Sequence, residues 1–532
     1  MKFVLSFLIS IAFFINSFDI LHAKQTIEID SSLNFSHDYY LGSFVMKFDS
    51  LNSSFTLYST SDLNHVVWKS VDKRAFLIGS KSTENVREDH GSFFIDDKIE
   101  INYSNQIINQ IYVSLDTMFI KGYLHGKDKH LKVPYTFMLN AINELQVSFN
   151  AEIDSLYCNR AILSYASNED EYIYGFGEQF TNFNHKGEKV PVFVSEQGIG
   201  RGKQPITFII DLIANSGGTA YTSYAPVPHY ISSDLNSVYL KNLEYSIFDF
   251  SNKSSTSILV FSNNIKGGII HANKPLKIIQ EYTDFSGRMN PLPEWSNHGA
   301  VIGLQGGTNR VSKIINDLLK NDIPISAVWL QDWVGQRTTA FGKQLWWNWE
   351  LDKDHYPRWD SLITNLHDKN IKVLTYVNPF LTDVSTKSNY ESNYYKIALD
   401  SSYFVMDSLG IPYDLDITTF SASIIDLTNP KARDWLKNII EKNMLSLGVD
   451  GWMADFGEAL PYYSALFSKQ KGSLMHNYFP VMWSQLNSEI INDSDKKDEL
   501  LFFCRSGYSE SPGHASLFWL GDQLVSWDNY DG

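Results

Sequence analysis

TNPKARDWLKNIIEKNMLSLGVDGWMADFGEAL, residues 428–460, contains a complete helix-to-strand transition. Thr428 and Asn429 are cap candidates. Pro430 sits where the first helical position belongs, since proline has no N–H to lose there and its φ is preset for a helix. KARDWLKNIIEKNMLS (431–446) reads as the helix itself. Gly451 to Phe456 follows as a short apolar run with Asp455 at its end. A helix feeding a short buried strand is the repeating unit of a parallel sheet.

The same rhythm extends on both sides. Ala300 to Leu304, Ile325 to Leu330 and Ile371 to Val377 are earlier apolar runs, with helix-like stretches near 310–321 and 358–369. After residue 456 come a helix near 475–492 and the runs Leu500 to Cys504 and Leu517 to Leu520. Residues 381–428 read as a long insertion after the third run. The pattern predicts an α/β domain over 294–532, a (β/α)8 TIM barrel with about six of its eight units present. The chain stops at Gly532, soon after the sixth run, so the sequence reads as C-terminally truncated. An open six-stranded sheet is the alternative.

Before residue 285 the pattern is different. Of 13 tryptophans only Trp68 precedes residue 290. YTFMLNAINELQVSFNAEI (135–153), TFIIDLI (207–213) and TSILVFS (256–262) are β-rich stretches that read as strands. They predict an antiparallel β-sandwich over 24–285. DFSGRMNPLP (284–293), with one glycine and two prolines, reads as a linker. At the start, Met1-Lys2, the twelve-residue apolar run FVLSFLISIAFF and Leu21-His22-Ala23 form a secretory signal pattern over 1–23, with cleavage after Ala23. Twelve apolar residues are too few to span about 30 Å of hydrocarbon, and no later run approaches about 20. The expected product is a periplasmic or secreted protein with no membrane span in the mature chain.

Composition narrows the function. Lys and Arg total 44 against 60 Asp and Glu, a net charge of −16, which makes nucleic acid a poor partner. Two cysteines, Cys158 and Cys504, make neither a disulfide framework nor a four-ligand zinc site. Cys504 reads as a buried strand residue, and whether the two pair stays open. In a parallel barrel, chemistry gathers where strands end. The six runs end at Gln305, at Gln331-Asp332-Trp333, at Asn378, at Asp455, at Arg505 and at Gly521-Asp522-Gln523. Two carboxylates facing each other across such a rim suit glycoside hydrolysis, one attacking the anomeric carbon and one protonating the leaving oxygen. Trp333, Trp347 and Trp452 are candidate faces for stacking on a sugar ring. Taken singly, each rim acid is equally a helix cap or a solvated loop residue.

GVDGWMADFGEALP (448–461) resembles the nucleophile segment of glycoside hydrolase family 31, with Asp455 at the nucleophile's place. RSGY (505–508) and FWLGDQ (518–523) resemble the family's later segment, with Asp522 at the place of the general acid/base. YGFGEQF (174–180), which carries Glu178, resembles the N-domain loop that reaches the active site in that family. The resemblance implies a retaining α-glycosidase that needs no metal or organic cofactor. It implies that Asp332 and Arg505 hold sugar hydroxyls. An inactive fragment or sugar-binding remnant of such an enzyme is the alternative.

SEQGIGRG (195–202) and QDWVGQRTTAFGKQLWWNW (331–349) are most similar to the sulfoquinovosidase branch, whose sugar is a glucose carrying a sulfonate at C6. Gln305, Gln331 and Trp347 match residues that recognise the sugar there. At the branch's arginine this chain has Gln344, a neutral amide in place of a charged fork. Either Lys343, Arg337 or Arg201 supplies the positive charge, or the substrate is a neutral α-glucoside or another modified sugar.

Overall fold

The computed structural model describes residues 26–29, 38–49, 51–89, 91–339, 342–417, 420–521 and 527. The signal pattern, its cleavage point and Asp522 lie outside the described residues. The chain divides into two compact units. The first takes residues up to 87, 93–193 and 226–285; the second takes 88–92, 194–225 and 286 onward. Segments 88–92 and 194–225, which the sequence places in the first domain, thus group with the second unit.

The first unit is built of sheets of nine, six and four strands. The stretch 135–153 forms a hairpin, Val133–Ala141 with Gln146–Ile153, in which Tyr135 pairs with Ile153. Burial alternates along Thr117–His125, Val133–Ala141 and Pro226–Ser232, so one side chain in two enters the core. Trp68 of the four-stranded sheet lies 6.4 Å, ring to ring, from both Phe137 of the nine-stranded sheet and Tyr165 of the six-stranded one.

The second unit carries five parallel strands in consecutive order: β1 (Ala300–Leu304), β2 (Ile325–Leu330), β3 (Lys372–Val377), β4 (Gly451–Ala454) and β5 (Leu501–Cys504). The helices between them are α1 (Gly307–Lys320), α2 (Trp359–His367), α3 (Pro430–Asn443) and α4 (Phe479–Asn492). Helix α3 starts as its sequence dictates. Pro430 is in the first turn, and the Asn429 side chain accepts the Lys431 N–H at 3.1 Å. Its buried residues Ala432, Leu436, Ile439 and Ile440 follow the helical spacing. All of β4 is buried, as a strand covered on both faces must be. Gly451 is obligatory, because a Cβ there would stand 2.0 Å from the Leu501 carbonyl oxygen.

Two expectations are corrected. TFIIDLI (207–213) lies in a helix, Ile206–Ala214, not a strand. A short apolar run has no period that separates the two, and the preceding Pro205 together with the Asp211 carboxylate, which accepts the Gly217 N–H at 2.7 Å, favours the helical turn. The run Leu517 to Leu520 makes a single parallel bridge, Phe518 with Cys504, and no strand. The insertion 381–428 holds helix Tyr394–Asp400 and a small antiparallel sheet, Phe380–Leu381, Phe420–Ile424 and Asp414–Ile417. Cys158 and Cys504 are both buried and unpaired, the latter closing β5. Among the described residues no helix is long and apolar enough to cross a membrane.

The ladder aligns the strand ends. Leu304 pairs with Leu330, Val377 with Ala454, and Ala454 with Cys504. Gln305 thus stands beside Gln331, and Asn378, Asp455 and Arg505 stand beside one another, while the pairing of Trp329 with Leu374 joins the two groups with an offset along the same rim.

Candidate active site

Asp455 is fixed from both sides of its peptide. Its N–H donates to the Val377 carbonyl at 2.9 Å, and its carbonyl accepts the Trp483 indole N–H at 3.1 Å. Phe456 then adopts φ +59°, a left-handed conformation that costs a side chain of this size about 1–2 kcal/mol. The turn places both the Asp455 carboxylate and the Phe456 ring on a cavity of about 410 Å³, within the range of small-molecule sites.

The two carboxylate oxygens of Asp455 are in different situations. Oδ2 accepts the Tyr376 hydroxyl at 2.5 Å, and Asn378 Nδ2 donates to that same hydroxyl at 3.2 Å. Burial and the adjacent Asp455 charge hold the Tyr376 phenol protonated, well above its ordinary range. Oδ1 has no hydrogen bond among the described residues, although Arg505 Nε stands 3.4 Å away. Asp455 thus has one oxygen clamped by a hydrogen bond and one, buried beside Arg505, that makes none among the described residues.

Arg505 is the electrostatic centre of the site. It contacts Asp455, lies 3.4 Å from Glu196 Oε2, and donates to Glu458 Oε1. Its guanidinium lies between the Tyr224 and Phe456 rings, 4.6 and 4.0 Å from their centroids. The Tyr224 hydroxyl in turn donates to Glu196. Burial opposes the arginine's charge, but Asp455 and Glu458 outweigh it and keep the guanidinium protonated. Burial also raises the Glu458 carboxyl far above its usual range, against the pull of Arg505.

The sequence candidates separate into two groups. Gln331, Gln344, Trp347, Asp455 and Arg505 line the cavity together. Gln305 does not line it, but donates to Gln331 Oε1 at 2.7 Å and so orients that amide. Asp332, Trp333 and Trp452 are corrected from sugar contacts to internal supports, each fully buried. Asp332 accepts the Gly306 N–H at 2.7 Å, His355 Nε2 at 2.6 Å and the Tyr356 hydroxyl at 2.5 Å, so three neighbours already occupy this fully buried carboxylate. Trp333 donates to the Tyr376 carbonyl at 2.8 Å, and Trp452 to Asn487 Oδ1 at 2.7 Å. Glu178 belongs to the first unit, half-buried directly after the strand Ile173–Gly177.

Trp329, Tyr376, Phe420, Met453, Phe456 and Trp519 also line the cavity and were not singled out from the sequence. Tyr376 had a usable signal, since it stands two residues before Asn378 in a strand of period two and so shares its face. Glu196 lies within the stretch SEQGIGRG, whereas Tyr224 had no signal, and only the path of segment 194–225 carries both to Arg505. Among the described residues no group of three or more His, Cys, Asp or Glu is disposed to hold a metal ion.

The chain is similar to known proteins along most of its length. The model of the glycosyl hydrolases family 31 TIM-barrel domain matches residues 291–532. The chain is 32% identical over 489 residues to a sulfoquinovosidase of Escherichia coli (strain K12), spanning 91% of this chain and 70% of that protein. It is 35% identical over 376 residues to a sulfoquinovosidase of Agrobacterium fabrum, spanning 70% of this chain and 55% of that one. A solved structure of a family 31 sulfoquinovosidase from E. rectale, bound to an aza-sugar inhibitor, is similar with a TM-score of 0.83 at 30% identity, over 92% of this chain and 70% of that chain.

Proposed function

Since the chain belongs to glycosyl hydrolase family 31, we propose that it is an exported retaining α-glycosidase that acts on sulfoquinovosides. The observation that carries this reading is that Asp455 lines a cavity of sugar-binding size, with Tyr376 holding Oδ2 and Oδ1 buried beside Arg505 without a hydrogen bond among the described residues. In the first step Oδ1 bonds to the anomeric carbon as the glycosidic C–O bond breaks, and Asp522 gives its proton to the departing oxygen. In the second, Asp522 takes a proton from water, whose oxygen displaces Asp455. Two such carboxyls stand about 5–5.5 Å apart in retaining enzymes. Trp347 lines the cavity, edge-on to Phe420 and Phe456 at 5.3 Å, and offers an apolar wall to the sugar. Export rests on the signal pattern of residues 1–23.

The sulfonated substrate is supported by the two sulfoquinovosidases among the relatives. Gln344 favours a second reading, a neutral α-glycoside, because an amide contributes no charge to a sulfonate. A parallel assay of the nitrophenyl α-glycosides of sulfoquinovose, glucose and xylose separates the two. Sulfoquinovoside should give the highest kcat/KM, and Asp455→Ala should bring turnover to background. Wild-type rates in that variant would remove the mechanism, and a preference for glucoside would remove the substrate.

A further inference from the structure

The hairpin Gln336–Thr339 with Gly342–Leu345 serves two cavities. Gln344 and Leu345 line the one holding Asp455. Gln336, Arg337, Thr338 and Lys343 line another, of about 510 Å³, with Trp346, Asp352, Asp354, His355 and Lys387.

The acidic side of this second cavity is already satisfied. Asp352 Oδ2 pairs with Lys387 Nζ at 3.1 Å, and its Oδ1 accepts Asn389 Nδ2 at 2.8 Å. Asp354 Oδ2 accepts from the same Asn389 nitrogen at 2.8 Å. The basic side is not satisfied. The Arg337 guanidinium lies 3.4 Å from the Phe420 ring centroid and 4.5 Å from that of Trp346. Among the described residues its one hydrogen bond is a long one, Nη2 to the Leu345 carbonyl at 3.4 Å, and its buried Nε has no partner. No carboxylate among the described residues lies within ion-pair reach of Arg337 or of the exposed Lys343.

Three other arginines withdrawn from solvent are ion-paired. Arg160 holds Glu84 and Asp97, Arg433 holds Glu489, and Arg505 holds three acids. A desolvated cation without a counter-charge is costly, and burial pushes Arg337 down to about 10. Aromatic rings over a guanidinium occupy its faces, so an anion must approach its edge, and with Nε buried that edge is the one carrying the two Nη nitrogens.

We propose that this cavity is an oxyanion-binding site in which Arg337 and Lys343 take a sulfonate, sulfate, phosphate or carboxylate group. Arg337 stands directly opposite Gln344 in the hairpin register, so an anion held there also fixes the strand that delivers Gln344 to the catalytic cavity. The anion is either a substituent of the glycoside itself or a free small ion. The site stands independently of the glycosidase reading, because its primary test is binding.

The purified chain is titrated calorimetrically with sodium sulfate and with methanesulfonate at constant ionic strength. Saturable binding is expected, weakened at least tenfold by Arg337→Met, less by Arg337→Lys and by Lys343→Ala, and unaffected by Asp455→Asn. The lysine variant keeps the charge without the fork, and Lys343 is exposed, so neither result reduces to a folding defect. No saturable binding, or equal affinity in Arg337→Met and wild type, overturns the proposal. Given binding, the ratio of kcat/KM for nitrophenyl α-sulfoquinovoside over α-glucoside assigns the source. A tenfold fall in Arg337→Met supports the substrate's own sulfonate, and an unchanged ratio supports a free anion.

Discussion

Replacing Arg505 by methionine removes the only cation that Asp455, Glu458 and Glu196 share among the described residues. At the 3.4 Å separation of Arg505 and Asp455, an effective dielectric of 20 gives about 5 kcal/mol for that pair alone. Removing the guanidinium also removes its desolvation cost, so the net loss is smaller. Truncating one partner of a buried pair typically costs about 3–5 kcal/mol, and that is the expected destabilisation here. In a domain of this size it corresponds to a fall of at least about 6 °C in thermal midpoint. The second arm tests the cause. In the methionine background three acids repel one another, so adding Glu458→Gln should gain about 1–2 kcal/mol more stability than the same change does in wild type, where it also removes an arginine partner. Denaturant unfolding of the four proteins at pH 7.5 measures both effects. A single-variant loss below about 1 kcal/mol, or the same effect of Glu458→Gln in both backgrounds, would show that the cluster is not electrostatically coupled.

Glu458 also predicts a pH dependence. Its folded pKa is raised to about 7 while the unfolded value stays near 4.3, so between these the folded state binds the extra proton and stability falls as pH rises. Glu458→Gln should flatten that slope in unfolding curves taken from pH 4.5 to 7.5; an unchanged slope would assign it to other groups. Asp332 has the opposite sign. Burial alone would raise it, but bonds from His355, Tyr356 and Gly306 hold its pKa below the usual range, so its contribution is present above about pH 4 and lost as pH falls further. Asp332→Asn should therefore cost about 1.5–3 kcal/mol at pH 7 and progressively less toward pH 2, and a constant difference across that range would contradict the assignment. Gln344→Arg should raise the sulfoquinovoside-to-glucoside ratio of kcat/KM by about 10-fold or more, the worth of one charge-assisted bond, provided the C6 substituent lies at this residue. An unchanged ratio in an active variant would place the reading of C6 elsewhere.

The parallel part of the fold was legible because its signals are local. Pro430 after an Asn cap, apolar residues at helical spacing in 431–446 and an all-apolar run at 451–454 each follow from backbone chemistry within a few residues. The helix at 206–214 was misread because TFIIDLI has no polar residue at a spacing that separates the two periods. Legibility failed again at the rim. Asp332 and Asp455 both end apolar runs, yet one lies fully buried under a backbone amide, an imidazole and a phenol, and the other lines the cavity.

Sequence by itself determined which residues end the strands, since an all-apolar run such as 451–454 suits a strand covered on both faces and Asp455 is the first charged residue after it. Tertiary structure alone decided which rim groups serve as supports and which face the cavity. A carboxylate's role depends on how many donors reach it, and those of Asp332 and Arg505's partners at positions 196 and 224 come from segments whose approach no local pattern encodes.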